Sequence, residues 1–247
     1  MLTDNPARLS SKPIPVNERL MFALDVPNNA EAKRLVEELG DAVTFYKVGL
    51  ELFMAGDYFE LVEWLIAQNK KVFVDLKFFD VPQTVASAVT QLKRHGASFA
   101  TVHGNDSILK AAVAAAEGSE LKILAVTALT SLDQADMDDL GFAANIKEVV
   151  LGRARRALAA GCAGVISSGL EVPALRDSVD DRLLVITPGI RPVANIDDQK
   201  RTVNVEQAFA NGADYIVVGR PIKQHAGYAS PREAALDIQQ RIKAIFA

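Results

Sequence analysis

From Leu20 onward, short apolar runs alternate with longer stretches in which apolar residues return every three to four positions. The short runs are Leu20–Asp25, Val43–Gly49, Lys71–Lys77, Ser98–His103, Leu121–Thr127, Ala163–Ser168, Leu183–Pro188 and Asp214–Gly219, eight in all. They are rich in Val, Ile, Leu and Phe, and most lack a strict alternation of apolar and polar positions. That is the pattern of parallel strands covered on both faces.

The intervening stretches carry helix starts and stops. Ala30–Leu39 ends at Gly40, a favourable C-terminal cap. Asp57–Asn69 opens with Asp57 and Glu60 spaced as a capping box. Val81–His95 has Pro82 in its first turn and Gly96 after its end. Asp106–Glu117, Asn145–Ala160, Asn204–Asn211 and Ser230–Phe246 follow the same grammar. Ser230-Pro231-Arg232-Glu233 combines a cap, a proline and a returning carboxylate. Val172–Arg176 allows only a short helix, interrupted near Pro173.

Eight strand-then-helix units predict a parallel sheet closed into a single (β/α)8 TIM barrel, residues 20–247, preceded by a short N-terminal arm, residues 1–19. An open, doubly wound sheet normally has a glycine-rich turn after its first strand. Here that turn reads Asp25-Val26-Pro27-Asn28-Asn29. The chain length of 247 residues agrees with the ~250 typical of such a barrel.

Composition narrows the class further. Apolar residues make up 49% and charged residues 23%, which excludes a disordered or collagen-like chain. No apolar run approaches the ~18 residues needed to span a bilayer, and Met1–Leu20 has no continuous apolar segment of the signal-peptide kind. A lone cysteine, Cys162, cannot form an internal disulfide or supply a thiolate metal cluster, so a cytoplasmic location is the expectation. The 27 basic and 31 acidic residues give a net charge of −4, which argues against a nucleic-acid partner.

Active sites of these barrels lie at the C-terminal ends of the strands. The ends read Asp25, Lys47, Asp75-Leu76-Lys77, His103, Thr127 running on to Thr130-Ser131, Ser167-Ser168, Pro188-Gly189-Ile190-Arg191 and Gly219-Arg220. Polar strand ends are ordinary, but Asp-x-Lys inside the apolar run VFVDLKFFDV is not. Residues two apart on a strand face one side, which projects Asp75 and Lys77 together. Asp25 and Lys47 on the neighbouring strands would complete a cluster of alternating charge, whose members shift one another's pKa values. Taken singly, Gly219-Arg220 and Gly189 with Arg191 read as turn glycines beside solvated arginines. Both pairs fall in the loops after the seventh and eighth strands, where barrels of this kind bind phosphate. The patternless Arg191–Thr202 connection is expected to act as a lid.

At these residues a resemblance emerges. Asp75-Leu76-Lys77-Phe78-Phe79-Asp80-Val81-Pro82-Gln83-Thr84 resembles the DxKxxDxPxT signature of the orotidine 5′-phosphate decarboxylase family, in its bacterial form. Ala23-Leu24-Asp25, Lys47-Val48-Gly49, Leu129-Thr130-Ser131, Thr187-Pro188-Gly189-Ile190-Arg191 and Val218-Gly219-Arg220-Pro221 occur in that family's order. The resemblance covers essentially the whole chain after the arm.

It implies conversion of orotidine 5′-monophosphate to UMP, the last step of de novo pyrimidine nucleotide synthesis, without metal or organic cofactor. It assigns Lys77 to stabilise and protonate the C6 carbanion, and Asp75 to face the leaving carboxylate and hold Lys77. Asp25 and Lys47 would bind ribose hydroxyls and complete the charge array. Thr130 and Ser131 would read the pyrimidine edge. Gln199, the Gly219 N–H and Arg220 would take the phosphate, with Arg191 nearby. Asp80 and Thr84 would reach the site of a second subunit, making a homodimer with composite sites. On its own, Asp80 just before Pro82 reads as a helix start. His103 is expected to be structural or to lie beside the ring, and His95, His225, Trp64 and Phe53 need no function.

Three other readings compete: a Mg-dependent sugar-phosphate decarboxylase of the same barrel group, a ribulose-phosphate epimerase, and a non-catalytic phosphate-binding barrel. The epimerase requires several His and Asp metal ligands at strand ends, where only His103 stands among the histidines.

Overall fold

A computed structural model of the chain describes residues 8–191, 202–225 and 227–247. Its strands are β1 (Leu20–Ala23), β2 (Phe45–Gly49), β3 (Lys71–Phe78), β4 (Phe99–Val102), β5 (Lys122–Val126), β6 (Gly164–Ile166), β7 (Leu184–Thr187) and β8 (Tyr215–Val218). They form a closed barrel in chain order, each parallel to both neighbours. All eight strands fall inside or within a residue of the runs expected from the apolar pattern.

The helices occupy the outside: α1 (Asn29–Leu39) after β1; α2 (Leu50–Ala55) and α3 (Tyr58–Ala67) after β2; α4 (Pro82–Leu92) after β3; and α5 (Asp106–Ala116) after β4. Then come α6 (Gln134–Asp139) and α7 (Ile146–Ala159) after β5, α8 (Val172–Ser178) after β6, α9 (Val205–Ala210) after β7, and α10 (Arg220–Lys223) and α11 (Pro231–Ile245) after β8.

The continuous apolar runs are explained by two separate cores. Met21, Ala23, Phe45, Phe73, Phe99, Leu124, Ile186, Tyr215 and Val217 pack inside the barrel. Leu20, Phe22, Leu24, Tyr46, Val48, Val72 and Val74 face outward against the helices. Phe45, Phe99 and Tyr215 meet pairwise at centroid distances of 5.2, 5.5 and 6.1 Å and plug the barrel below its mouth. Each fully buried side chain of this size contributes about 1.5–3 kcal/mol.

Several helix ends follow the sequence grammar. The side chains of Asn28, Asn105, Asn145, Asn204 and Ser230 each accept a backbone N–H of the first turn. Two expectations are corrected. Asp57 has a left-handed backbone (φ 53°) and makes no side-chain cap, so no Asp57/Glu60 capping box forms. A capping residue needs an extended backbone to aim its side chain at the first turn. At Ser230, the returning Glu233 carboxylate accepts the Ala229 N–H rather than that of Ser230. The short helices α2, α6 and α10 add to those the sequence grammar marks: at four to six residues they show no helical period. Neither α2 nor α10 has the side-chain cap and spacing by which the comparably short α9 is recognised, and the Asp133–Asp136 box of α6 stands outside an apolar run.

At the N-terminal end of the barrel the arm is held by charge. Asp214, fully buried just before β8, accepts from Lys12 Nζ at 3.0 Å, Arg176 Nη2 at 2.7 Å and the Val185 N–H at 2.8 Å.

Candidate active site

The inward-facing positions continue past the plug to the C-terminal mouth, and there they turn from apolar to charged. Pairing of Ala23 with Lys47, and of Gly49 with Asp75, sets the ends of β1, β2 and β3 side by side. Lys47 Nζ lies 3.2 Å from Asp25 Oδ1 and 3.4 Å from Asp75 Oδ2. Lys77 Nζ lies 3.0 Å from Asp75 Oδ1. The four residues therefore form one continuous chain of alternating charge, as the sequence suggests. Gly49 makes room for it: a Cβ there would stand 3.3 Å from Lys47 Nζ and 3.6 Å from Asp25 Oδ1.

The way Asp75 and Lys77 come together differs from the two-residue strand rule. The register between β3 and β4 shifts between Val74 and Phe78, so the pleat is broken across the residues that matter. Lys77 adopts a left-handed backbone with φ of 50°. That conformation costs a residue with a Cβ about 1–3 kcal/mol and persists where surrounding contacts fix it. The fixing contact is Thr101, fully buried on β4. Its hydroxyl accepts the Lys77 N–H at 3.0 Å and donates to Asp75 Oδ1 at 2.9 Å. Reading only the last residue of each strand misses Thr101, yet it is two residues from the inward-facing Phe99, so parity alone would have found it.

Burial and charge compete at this cluster, and charge wins. Burial disfavours the ammonium of Lys47, but Asp75 and Asp25 outweigh it and lift its pKa above the ordinary lysine value. Burial likewise opposes the Asp75 carboxylate, while Lys47, Lys77 and the Thr101 hydroxyl hold its pKa below the ordinary aspartate value. Both groups are thus charged at neutral pH. At His103, burial and the nearby Arg153 and Lys77 push the pKa down. Its ring meets Phe79 edge-on at 5.3 Å.

Lys47, Asp75, Lys77 and Thr130 line a cavity of about 170 Å³ together with apolar groups that include Val126, Ile166, Pro188 and Val217. One side is thus charged and the other apolar, which suits a flat ring carrying an anionic substituent. Ser131 is exposed and is not among the residues lining the cavity. Gly219 abuts the cluster: a Cβ there would lie 3.2 Å from Ala23 Cβ and 4.0 Å from Asp25 Oδ2. Arg220 follows as the first residue of α10, and Lys223 of the same turn donates to the Asp25 carbonyl at 2.6 Å, a support the sequence did not single out. Arg191 Nη1 bonds the Ile190 carbonyl at 2.9 Å.

Asp80 and Thr84 are exposed, on a groove outside the mouth that Lys77 and Phe78 also line. Among the described residues Asp80 forms no ion pair, and its carboxylate accepts the Val81 N–H at 2.6 Å. Phe79 and Val81 beside it are 67% and 62% exposed. Gln199 and most of the expected lid lie outside the described residues. Among the described residues no cluster of three or more His, Cys, Asp or Glu side chains could hold a metal ion, and no helix is long and apolar enough to cross a membrane.

Comparison with known proteins agrees with this geometry. Residues 18–238 match the model of the orotidine 5′-phosphate decarboxylase / HUMPS family. The chain is 65% identical over 244 residues to an orotidine 5′-phosphate decarboxylase of Methylococcus capsulatus, covering 98% of this chain and 99% of that one. It is 46% identical over 242 residues to one of Stenotrophomonas maltophilia, covering 97% and 99%. The crystal structure of orotidine 5′-phosphate decarboxylase from Lactobacillus acidophilus superposes with a TM-score of 0.80 at 33% identity, covering 91% of this chain and 99% of that one.

Proposed function

The chain belongs to the orotidine 5′-phosphate decarboxylase family, and from that premise we infer that it removes CO2 from orotidine 5′-monophosphate to give UMP in pyrimidine nucleotide synthesis. The observation that carries the reading is the unbroken Asp25–Lys47–Asp75–Lys77 charge chain on the wall of the mouth cavity.

The chemistry demands such a device. Breaking the bond from C6 to the carboxylate releases CO2 and leaves an electron pair in the plane of the ring, where no π-system can accept it. A fixed ammonium beside that atom stabilises the charge as it develops. Lys77 fills this role and then delivers its proton to C6, after which water re-protonates the amine. Asp75 stands against the departing carboxylate and keeps Lys77 aimed. Repulsion between two carboxylates ~4 Å apart supplies only about 4 kcal/mol at an effective dielectric of 20. Enzymes lower barriers by roughly 8–23 kcal/mol, so most of the effect comes from Lys77 and from binding energy elsewhere on the substrate.

Asp25 and Lys47 bind the ribose hydroxyls in this scheme, Thr130 and Ser131 the pyrimidine edge, and the Gly219 N–H, Arg220, Arg191 and Gln199 the phosphate. The reaction so drawn needs no metal or organic cofactor, and the cytoplasm is where its substrate is met. The exposed Asp80, Thr84, Phe79 and Val81 support a homodimer in which Asp80 and Thr84 complete the partner's site.

Incubation with orotidine 5′-monophosphate in excess chelator tests the assignment. Substrate absorbance is expected to fall in the wild type and to persist with Lys77→Ala. Turnover that needs added Mg2+ would favour the sugar-phosphate decarboxylase reading, and an inactive wild type would remove the assignment. Mixing inactive Lys77→Ala and Asp80→Ala subunits is expected to restore activity through one intact composite site.

A further inference from the structure

Lys77 holds a backbone conformation that an L-residue avoids, at the point where the barrel's pairing breaks. On β4, Ala100 pairs with Val74 and Val102 pairs with Phe78, so Thr101 alone stands opposite Asp75, Leu76 and Lys77. The Lys77 N–H therefore has no ladder carbonyl and is satisfied by a side chain, the Thr101 hydroxyl at 3.0 Å. The same hydroxyl has its one proton committed to Asp75 Oδ1 at 2.9 Å, the oxygen that also receives Lys77 Nζ at 3.0 Å. A single oxygen thus ties the carboxylate of one working residue to the backbone of the other.

We propose that Thr101 is a positioning residue for decarboxylation, its hydroxyl setting the Asp75 carboxylate and the Lys77 ammonium in their reactive arrangement while touching no substrate itself. The proposal rests on the decarboxylase reading. Three features distinguish this role from ordinary core packing. Thr101 is fully buried and cannot exchange its partners for water. Both groups bonded to its hydroxyl, the Asp75 carboxylate and the Lys77 N–H, belong to residues of the charged cluster rather than of the apolar core. Its hydroxyl uses its donor on Asp75 and an acceptor on Lys77, so losing it disturbs both residues at once.

The mouth cavity is lined by Lys47, Asp75, Lys77 and Thr130 but not by Thr101, so substrate contacts would survive its alteration. The effect should fall on the chemical step, where small misplacements of reacting groups are felt most.

The test compares Thr101→Val, which keeps the shape and removes the hydroxyl, with Thr101→Ser, which keeps the hydroxyl and removes the methyl. Losing a hydrogen bond to a charged group predicts a fall in kcat of about 10- to 100-fold for Thr101→Val. KM and the affinity for UMP should change by less than about 3-fold, because ground-state contacts remain. Thr101→Ser should recover most of the lost kcat. Equal kcat values for the Val and Ser variants, or a loss confined to KM, would overturn the proposal. If Thr101→Val does not fold, Thr101→Ala takes its place in the comparison. A chain that folds with Ser but with neither hydroxyl-free residue would assign the hydroxyl to fold stability and overturn the proposal as well. An inactive wild type would remove the decarboxylase reading and this role with it. An active wild type with an unimpaired Thr101→Val would remove only the role of Thr101.

Discussion

Lys47 Nζ lies 3.4 Å from Asp75 Oδ2, and each of the two side chains keeps only 13% of its surface in water. Replacing one partner alone would leave the other buried with a single ion pair, Asp75 with Lys77 at 3.0 Å or Lys47 with Asp25 at 3.2 Å, so both are removed together in the test below. The pair also has a defined pH behaviour. The folded-state pKa of Asp75 lies below its ordinary 3.8, so its stabilisation is present above that value and is lost as pH falls through the folded pKa. The folded-state pKa of Lys47 lies above its ordinary 10.5, so its stabilisation is complete below 10.5 and is lost as pH rises through the folded pKa. Denaturant unfolding of the wild type and of a Lys47→Met/Asp75→Leu double variant is expected to differ by a constant amount between about pH 5 and pH 9. The difference should move against the wild type on both sides of that range. A difference drifting steadily across neutral pH would contradict the assignment of charge.

The opposite end of the barrel supports a prediction about stability alone. Asp214 is fully buried, Arg176 keeps only 8% of its side-chain surface, and Lys12 of the arm joins them. Asp214→Ala strands a buried guanidinium and frees the arm, at a cost of about 3–5 kcal/mol. For a chain of this size that lowers Tm by roughly 10 °C. Because Asp214 precedes β8 and the site lies beyond its other end, kcat below the melting range should be unchanged. A wild-type Tm, or a selective loss of kcat, would refute this separation of the two ends.

Cys162 sits between α7 and β6 with 5% of its surface exposed, and burial pushes its thiol up to about 12. Thiol reagents attack the thiolate, so a native chain at pH 8 should resist a disulfide reagent that labels the denatured chain promptly. Labelling of the native protein at the denatured rate would show that the outer core opens there.

The eight strands were legible because parallel barrel strands are apolar on both faces, and Met21 inward beside Phe22 outward leaves no polar gap in the run. Asp25, Lys47, Asp75 and Lys77 were legible because charge inside such runs has few structural uses. Inward parity with Phe99 points Thr101 into the barrel, but its link to Lys77 was not legible, because that link arises from the β3 bulge opposite it and a register shift leaves no trace in the composition of either strand. Asp57 misled for a related reason: its residue type suits a cap, but the α2–α3 turn imposes φ of 53° and turns the side chain away. Local residue type was informative where the chain adopts the backbone that type favours, as at Asn28 and Ser230, and less so where a tight turn or a neighbouring strand sets the backbone instead.

Arg220 tests whether binding energy far from the reacting carbon is used in the chemical step. It begins α10 directly after Gly219, whose position beside Asp25 links the candidate phosphate end to the charge chain. If the phosphate served only as a handle, Arg220→Ala would raise KM and leave kcat alone, because ground state and transition state would lose equally. The charge array makes a different demand. Carrying a carboxylated ring to Asp75 is unfavourable unless energy gained elsewhere on the substrate holds it there. A charge-assisted hydrogen bond contributes about 1.5–3 kcal/mol, so Arg220→Ala should reduce kcat/KM by roughly 10- to 100-fold or more, with a clear share of the loss in kcat. Steady-state kinetics on orotidine 5′-monophosphate separates the cases, and an unchanged kcat with a raised KM would leave Lys77 and its immediate neighbours to account for the whole acceleration.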